Sequence, residues 1–214
     1  MSTTREEYTD LEDELLMEKV AGGDSAAFSE LYDRYSTALI NYFFRMLWRD
    51  REKAEDFMQE LFTKLIHKPH LYNPERKFKT WMYSIANNMC KNEYRRMEVR
   101  RNTSNGLGDR EDIKDRNALS DKLVDRELFN EKLDEELLEL SDNHRTVFEL
   151  RYREDLSIKE IAEILECSEG TIKSRLFYTI KKLSEKLQHY NPKLAVLIIV
   201  SIASALTEFF KSLP

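Results

Sequence analysis

Apolar residues recur at every third or fourth position over most of the chain, with polar residues between them. This spacing is typical of helices that bury one face, because an α-helix turns once in about 3.6 residues. In the first half the pattern predicts helices over residues 11–21, 25–47 and 52–68, and from about residue 80 to residue 101. In the second half it predicts helices over residues 120–140, 143–153, 157–166 and 169–188.

Two stretches lack this pattern and divide the chain. Residues 102–118 contain two of the five glycines and few apolar residues, which is typical of a linker. Residues 194–207 are uncharged and strongly apolar. We therefore predict an all-α fold of two small helical domains, 12–101 and 119–190, joined by a flexible linker and followed by an apolar C-terminal helix within residues 191–214.

The apolar C-terminal run has three competing interpretations. It is 14 residues long, between Lys193 and Glu208. A helix of that length extends about 21 Å, which is short for a hydrocarbon layer of about 30 Å. Packing against the second domain or docking of a protein partner is therefore favoured over contact with a membrane surface.

Charge is segregated along the chain, although the net charge is only −6. Residues 76–101 carry eight Lys or Arg against two Glu, whereas the first 18 residues carry seven acids and one Arg. The net charge argues against a uniformly basic nucleic-acid coat, whereas the segregation of charge allows a local basic face.

Cys90 and Cys167 lie in different segments and indicate reduced thiols, and the acidic N-terminus predicts no signal peptide. We expect a cytoplasmic protein.

The segment "LSIKEIAEILECSEGTIKSRLFYTIKKLSEKL" predicts a helix-turn-helix over residues 156–187. Ser157 and Glu160 form a capping-box pattern at the first helix, and the second helix has Ser, Thr, Lys and Arg near its start. Such a helix suits the major groove, where N-terminal residues meet base edges and phosphates. The candidate contacts are Ser168, Thr171, Lys173, Ser174, Arg175, Lys181 and Lys182. The alternative is a solvated helical hairpin.

The segment "FKTWMYSIANNMCKNEYRR" (residues 78–96) combines aromatic rings, amides and cations. Aromatic faces stack on unpaired bases and cations follow the backbone, so this combination favours nucleic acid with unstacked bases. A structural role is the alternative, because Trp81, Ile85 and Met89 have the i, i+4, i+8 spacing of a helix core.

Together these motifs resemble an extracytoplasmic-function (ECF) sigma factor of the sigma-70 family, over roughly residues 12–188. "GDSAAFSELYDRY" is similar to the start of region 2, and "DREKAEDFMQELFTKL" to the region 2.2 helix that binds the β′ clamp helices of RNA polymerase. "NPERKFKTWMYSIANNMCKNEYRR" resembles regions 2.3 and 2.4, which open and read the minus-10 element. "LDEELLELSDNHRTVFELRYREDLSIKEIAEIL", with the helix after it, resembles region 4, which reads the minus-35 element.

The resemblance implies two further sets of contact residues. It places a flipped-base pocket around the loop before residue 80, with Asn88 at the base-contacting amide. The implied minus-10 contacts are Lys79, Trp81, Tyr83, Asn88, Asn92, Arg95 and Arg96. The implied core polymerase contacts are Asp56, Gln59, Glu60 and Thr63. Such an acidic and amide flank suits an Arg-rich partner through charge-assisted hydrogen bonds; a solvated helix face is the alternative.

The chain departs from the family pattern at two turns. Glu166 stands where the family often has Gly between the two helices of the region 4 pair, so this residue must adopt the turn with a Cβ. Ser141 stands where the family often has Pro, and Ser is also a good helix cap.

The resemblance implies a transcription initiation factor whose partners are core RNA polymerase, promoter DNA, and an anti-sigma factor or recruiting protein, the last through the C-terminal tail. Two alternatives stay open: a sigma-derived adaptor targeted by a docked partner, and a helix-turn-helix regulator independent of polymerase. No nucleophile motif or phosphate loop is present, and the two histidines of "HKPH" (67–70) lack nearby ligands. We expect no catalytic residue, metal or cofactor.

Overall fold

A computed structural model describes residues 6–103 and 121–187, and every regular element in these two ranges is helical. The first half contains α1 (Glu6–Thr9), α2 (Asp13–Ala21), α3 (Ser25–Met46), α4 (Arg51–His67), a 3-10 turn (Pro69–Leu71) and α5 (Phe78–Thr103). The second half contains α6 (Asp121–Leu138), α7 (Asp142–Phe148), a π-helical turn (Glu149–Arg153), α8 (Ile158–Leu165) and α9 (Glu169–Leu187). The all-α prediction is confirmed, while most of the predicted linker and the apolar tail lie outside the described residues.

Local hydrogen bonding explains where several helices begin. The Asp24 carboxylate accepts from the backbone N–H groups of Ala26 and Ala27 at the start of α3, and Asp50 accepts from Lys53 at the start of α4. Ser157 and Glu160 form the predicted capping box at α8. Each cap satisfies a backbone donor that has no partner within the helix.

Ser141 begins α7 without the expected cap hydrogen bond. Its backbone is extended, as an N-cap requires, but its hydroxyl lies 2.8 Å from Nδ1 of His144 instead of a backbone N–H. Ser141 therefore occupies the N-cap position, but its hydroxyl contacts the His144 side chain and not the backbone.

The core of the first half lies between α3 and α4, with α2 and α5 closing it. Its largest wholly buried side chains are Leu16, Met17, Leu31, Leu39, Tyr42, Phe43, Met46, Leu47, Leu61, Phe78 and Tyr83. Aromatic rings meet at the start of α5, where Trp81 lies 5.0 Å from Tyr72 and 6.1 Å from Phe78 between ring centroids. This packing fixes α5, which carries the predicted minus-10 residues.

In the second half, α6, α7 and α9 enclose a smaller apolar cluster. Its members are Phe129, Leu133, Leu137, Leu140, Phe148, Ile180, Leu183 and Leu187. The turn between α8 and α9 passes through Glu166 at φ 53° and ψ 46°, the left-handed conformation that glycine adopts most readily.

Replacing Glu166 with Gly is expected to stabilise the fold by about 0.5–1 kcal/mol. The left-handed conformation costs a residue with a Cβ about 1–2 kcal/mol, and the flexibility of glycine in the unfolded chain offsets part of the gain. Thermal unfolding checks this, with Glu185→Gly within α9 as a control that should destabilise by about 1 kcal/mol. A lower melting temperature for Glu166→Gly would contradict the argument.

The two halves pack directly against each other. One continuous apolar cluster contains the core of the first half together with residues of α7, the π-helical turn, α8 and α9. The second half contributes Val147, Leu150, Leu156, Ile161, Ala162, Ile164, Ile172 and Leu176. The hydrophobic pattern contains no sign of this contact, because periodicity shows which face of a helix is apolar but not which element covers it.

Candidate polymerase and promoter interfaces

The outer face of α5 presents a polar strip. Asn88, Asn92 and Arg95 are exposed, and their spacing of four and three residues places them along one side of the helix. Lys91 is half-buried beside Asn88 and was not predicted, although its spacing from Asn88 is a signal for it. Arg96 is also exposed and lies 3.8 Å from Glu93. The strip therefore offers amides and cations to a ligand.

Three predicted minus-10 contacts lie elsewhere. Trp81 is 7% exposed within the aromatic cluster, which favours its core interpretation. Tyr83 is wholly buried and donates its hydroxyl hydrogen bond to Glu154, and Nζ of Lys79 donates to the backbone carbonyl of Glu154 at 2.6 Å. Tyr83 and Asn88 are five residues apart, which is about 140° around a helix. Trp81, Tyr83 and Lys79 therefore lie apart from the exposed strip in this structure, and their contact with minus-10 DNA stays a prediction.

The outer face of α4 brings together all four predicted polymerase contacts. Asp56, Gln59, Glu60 and Thr63 are exposed, while Ala54, Met58, Leu61, Phe62 and Leu65 anchor the opposite face. Glu60 pairs with Lys64 at 2.7 Å on the exposed surface. Ile66, three residues after Thr63, is 48% exposed and was not predicted. This flank therefore combines acids, an amide and an apolar side chain on a rigid helix.

The helix-turn-helix prediction is confirmed as a structure, with α8 and α9 joined at Glu166. On α9, Ile172, Leu176, Ile180 and Leu183 are buried, and the predicted contacts lie on the remaining faces. Ser168, Ser174, Lys181 and Lys182 are exposed, and Thr171, Lys173 and Arg175 are half-buried. The cations therefore lie along the solvent side of a helix whose other side is fixed.

The start of α9 is held by its own side chains. The Ser168 hydroxyl accepts from the backbone N–H of Thr171 at 3.1 Å and lies 2.9 Å from the Thr171 hydroxyl. Ser168 thus caps the helix, and capping leaves less hydrogen-bonding capacity for a base. On α7, partial burial lowers the pKa of His144, and Arg175 and Lys182 lower it further, which disfavours the charged form of the ring beside this surface.

Comparisons with known proteins match both halves of the chain. The family model for sigma-70 region 2 matches residues 31–100, and that for sigma-70 region 4 matches residues 130–183. The chain is 32% identical to the ECF RNA polymerase sigma factor SigW of Bacillus subtilis, over 80% of this chain and 95% of that protein. It is 31% identical to the ECF RNA polymerase sigma-E factor of Haemophilus influenzae, over 83% of this chain and 96% of that protein.

The chain belongs to the ECF sigma factors. Solved structures share the fold at lower identity. The sigma factor RpoE, in complex with the anti-sigma factor NepR from Bartonella quintana, has a TM-score of 0.62 at 23% identity, covering 75% of this chain and 96% of its own. CnrH, in complex with the cytosolic domain of CnrY, has a TM-score of 0.62 at 22% identity, covering 83% of this chain and 97% of its own.

As an ECF sigma factor, the protein is a transcription initiation factor. We call α1–α5 its region 2 half and α6–α9 its region 4 half. In the region 4 half, Phe177 and Tyr178 are exposed, with ring centroids 5.5 Å apart, and neither was predicted. They follow Leu176 directly in the sequence. Helical spacing assigns Leu176 to the core but not the two aromatic residues after it. Among the described residues, no helix has the length and apolarity to span a membrane.

Proposed function

We propose that this sigma factor binds the β′ clamp helices of core RNA polymerase through the α4 flank, reads and opens the minus-10 element with α5, and reads the minus-35 element with α9. It acts in the cytoplasm and is not an enzyme, since the polymerase carries out catalysis. An anti-sigma factor or recruiting protein is the expected regulator, because the structural relative RpoE is in complex with the anti-sigma factor NepR.

The observation that carries this proposal is the separation of three polar surfaces, each on a helix with a buried opposite face. Asp56 and Glu60 present negative charge on α4, Asn88 and Arg95 present amide and cation on α5, and Lys181 and its neighbours present positive charge on α9. An acidic flank suits a basic protein surface, an amide suits an unpaired base, and a cationic helix suits duplex DNA. A regulator that acts without polymerase needs neither the acidic surface of α4 nor the amide and cation surface of α5.

The α5 strip supports minus-10 opening by Asn88, Asn92, Arg95 and Arg96. Asn88 is exposed at the N-terminal end of the strip, where an amide has both a donor and an acceptor for the edge of a flipped base. Arg95 and Arg96 lie up to two turns further along the helix and are placed to follow the phosphates. The aromatic cluster on the buried side of α5 packs in the core and fixes the position of the helix.

Replacing Arg175 with Ala tests the assignment of α9. If Arg175 reads a base edge, binding to the cognate upstream element should weaken by about 1–3 kcal/mol and specificity should relax at one position. If it meets only phosphate, binding should weaken uniformly and the salt slope should fall by about one. Holoenzyme binding measured over a salt series distinguishes the two.

Lys186→Ala is the matched control, because its ammonium group pairs with Glu136 of α6 at 2.9 Å. An Arg175→Ala protein with unchanged promoter affinity and an unchanged salt slope would contradict the assignment of α9 as the recognition helix.

A further inference from the structure

Tyr178 lies in the middle of the outer face of α9. Its side chain is 61% exposed, and its ring meets the ring of Phe177 edge to face, with centroids 5.5 Å apart and planes at 75°. A spacing of three or four residues places Ser174 one turn before Tyr178, and Lys181 and Lys182 one turn after it, on the same face. All three neighbours are candidate minus-35 contacts, so Tyr178 lies inside the proposed DNA-reading surface.

The packing of α9 does not explain an aromatic ring at this position. Tyr178 is two residues from Leu176 and two from Ile180, which places it about 160° around the helix from each of these buried side chains. An exposed ring leaves apolar surface in water, and tyrosine favours a helix less than alanine, lysine or glutamate does. Single exposed rings are common on protein surfaces, but a second ring fixes this one, and two cations follow it on the next turn. These features favour a ring that is held in place for a ligand.

The side chains around Tyr178 suit the major groove of duplex DNA better than a protein surface. Lys181 and Lys182 are exposed, and lysines of this kind bind the phosphates at the edges of the groove. A protein that covered this face would have to bury both ammonium groups, which is costly. From Ser174 to Lys182 the helix rises about 12 Å, and the major groove is about 12 Å wide. A ring at the midpoint of this stretch therefore faces the base edges.

The carbon atoms of an aromatic ring suit one chemical group of the major groove. The base edges present hydrogen-bond donors and acceptors there, and thymine also presents a methyl group at C5. Ring carbons make apolar contacts but no strong hydrogen bonds, so they distinguish a methyl group from the polar groups beside it.

We infer that Tyr178 is a specificity-determining residue that contacts the 5-methyl group of a thymine in the minus-35 element, and that Phe177 positions its ring. This role rests on the proposed function of α9, for which the candidate contacts were hydroxyls and cations alone. It adds a base preference to the element that α9 reads.

Selection from a randomised library of DNA duplexes tests the base preference. The full chain bound to core polymerase and the full chain alone are each incubated with the library, and the bound duplexes are sequenced. We expect one position at which thymine is enriched, and Tyr178→Ala should lose this enrichment while it keeps the preferences at other positions. The variant should fold, because Tyr178 is mostly exposed and alanine favours a helix.

Replacing that thymine with uracil isolates the methyl group, because uracil keeps the O4 acceptor and the pairing of thymine. The unmodified protein should bind the uracil duplex about fourfold more weakly, the effect of one methyl-sized group that is no longer buried. Tyr178→Ala should bind the two duplexes equally. Tyr178→Phe should keep the fourfold ratio because it keeps the ring, and Phe177→Ala should reduce the ratio although Tyr178 is still present.

Tyr152→Ala is the matched control. Tyr152 is 42% exposed and stacks on Phe148, but it lies on the π-helical turn and not on α9. Its removal should leave both the thymine enrichment and the fourfold ratio unchanged.

Tyr178 has no such role if no thymine preference depends on it, if uracil binds as well as thymine, or if Tyr152→Ala has the same effect. A Tyr178→Ala protein that selects the same DNA but no longer binds a protein regulator would likewise refute the DNA contact. The proposed function alone fails if the free chain shows the Tyr178-dependent preference but never binds polymerase. The role of Tyr178 alone fails if the polymerase-bound chain selects elements in which Tyr178 has no effect, and both fail if neither preparation selects a sequence.

Discussion

Replacing Asp56 and Glu60 together with Arg is expected to abolish co-purification with core RNA polymerase. Both side chains are exposed on the outer face of α4, so the change leaves the buried face of that helix intact. Reversing an interfacial charge that makes hydrogen bonds costs about 2–5 kcal/mol. Two reversals therefore cost at least about 4 kcal/mol, which is close to a thousandfold in Kd.

The melting temperature should change little, because Glu60 pairs with Lys64 on the exposed surface and such pairs stabilise by less than about 1 kcal/mol. The matched control reverses Glu135 and Glu185, two exposed acids of the region 4 half. Affinity capture with purified core polymerase measures the difference. Undiminished capture of the Asp56→Arg, Glu60→Arg protein would show that the α4 flank does not bind polymerase.

Truncating Asn88 to Ala is expected to impair strand opening while leaving polymerase binding and closed-complex formation intact. Capture of a flipped base offsets the few kcal/mol that unstacking requires, and the amide supplies the hydrogen bonds. Losing them should reduce open complexes by about five- to 150-fold, from about 1–3 kcal/mol of hydrogen bonding. Permanganate reactivity of unpaired thymines measures the open complex.

A mismatched template makes the test of Asn88 more specific. When the minus-10 region is already unpaired, unstacking no longer has to be offset, so the defect should shrink although base capture is still lost. Asn130→Ala, an exposed asparagine of α6, controls for the substitution itself. Normal opening of a fully duplex promoter by the Asn88→Ala protein would show that Asn88 is a solvated surface residue of α5 with no role in strand opening.

The beginnings of the helices were predictable because they depend on neighbouring residues. Asp24, Asp50 and Ser157 each satisfy backbone donors two or three residues away, so the signal lies within a short stretch of sequence. The exposed flank of α4 was predictable for a related reason, since helical spacing separates Asp56 and Glu60 from the apolar face.

The faces of α5 were only partly predictable. The helix has two polar faces: Asn88 and Arg95 point to solvent, while Tyr83 and Lys79 meet Glu154 of the other half. Composition cannot distinguish these faces, because rings and cations suit nucleic acid and an acidic protein surface equally well. The contact joins residues more than 70 positions apart, and no local pattern records such a pairing.

Transcription by purified core polymerase on a genomic template library, with and without this protein, tests the central claim most directly. We expect new transcripts that require the protein, whose start sites share one sequence element near minus-10 and another near minus-35. The Asp56→Arg, Glu60→Arg protein should produce none of them. Duplex DNA binding without polymerase, together with no protein-dependent transcripts, would contradict the account and indicate a helix-turn-helix regulator instead.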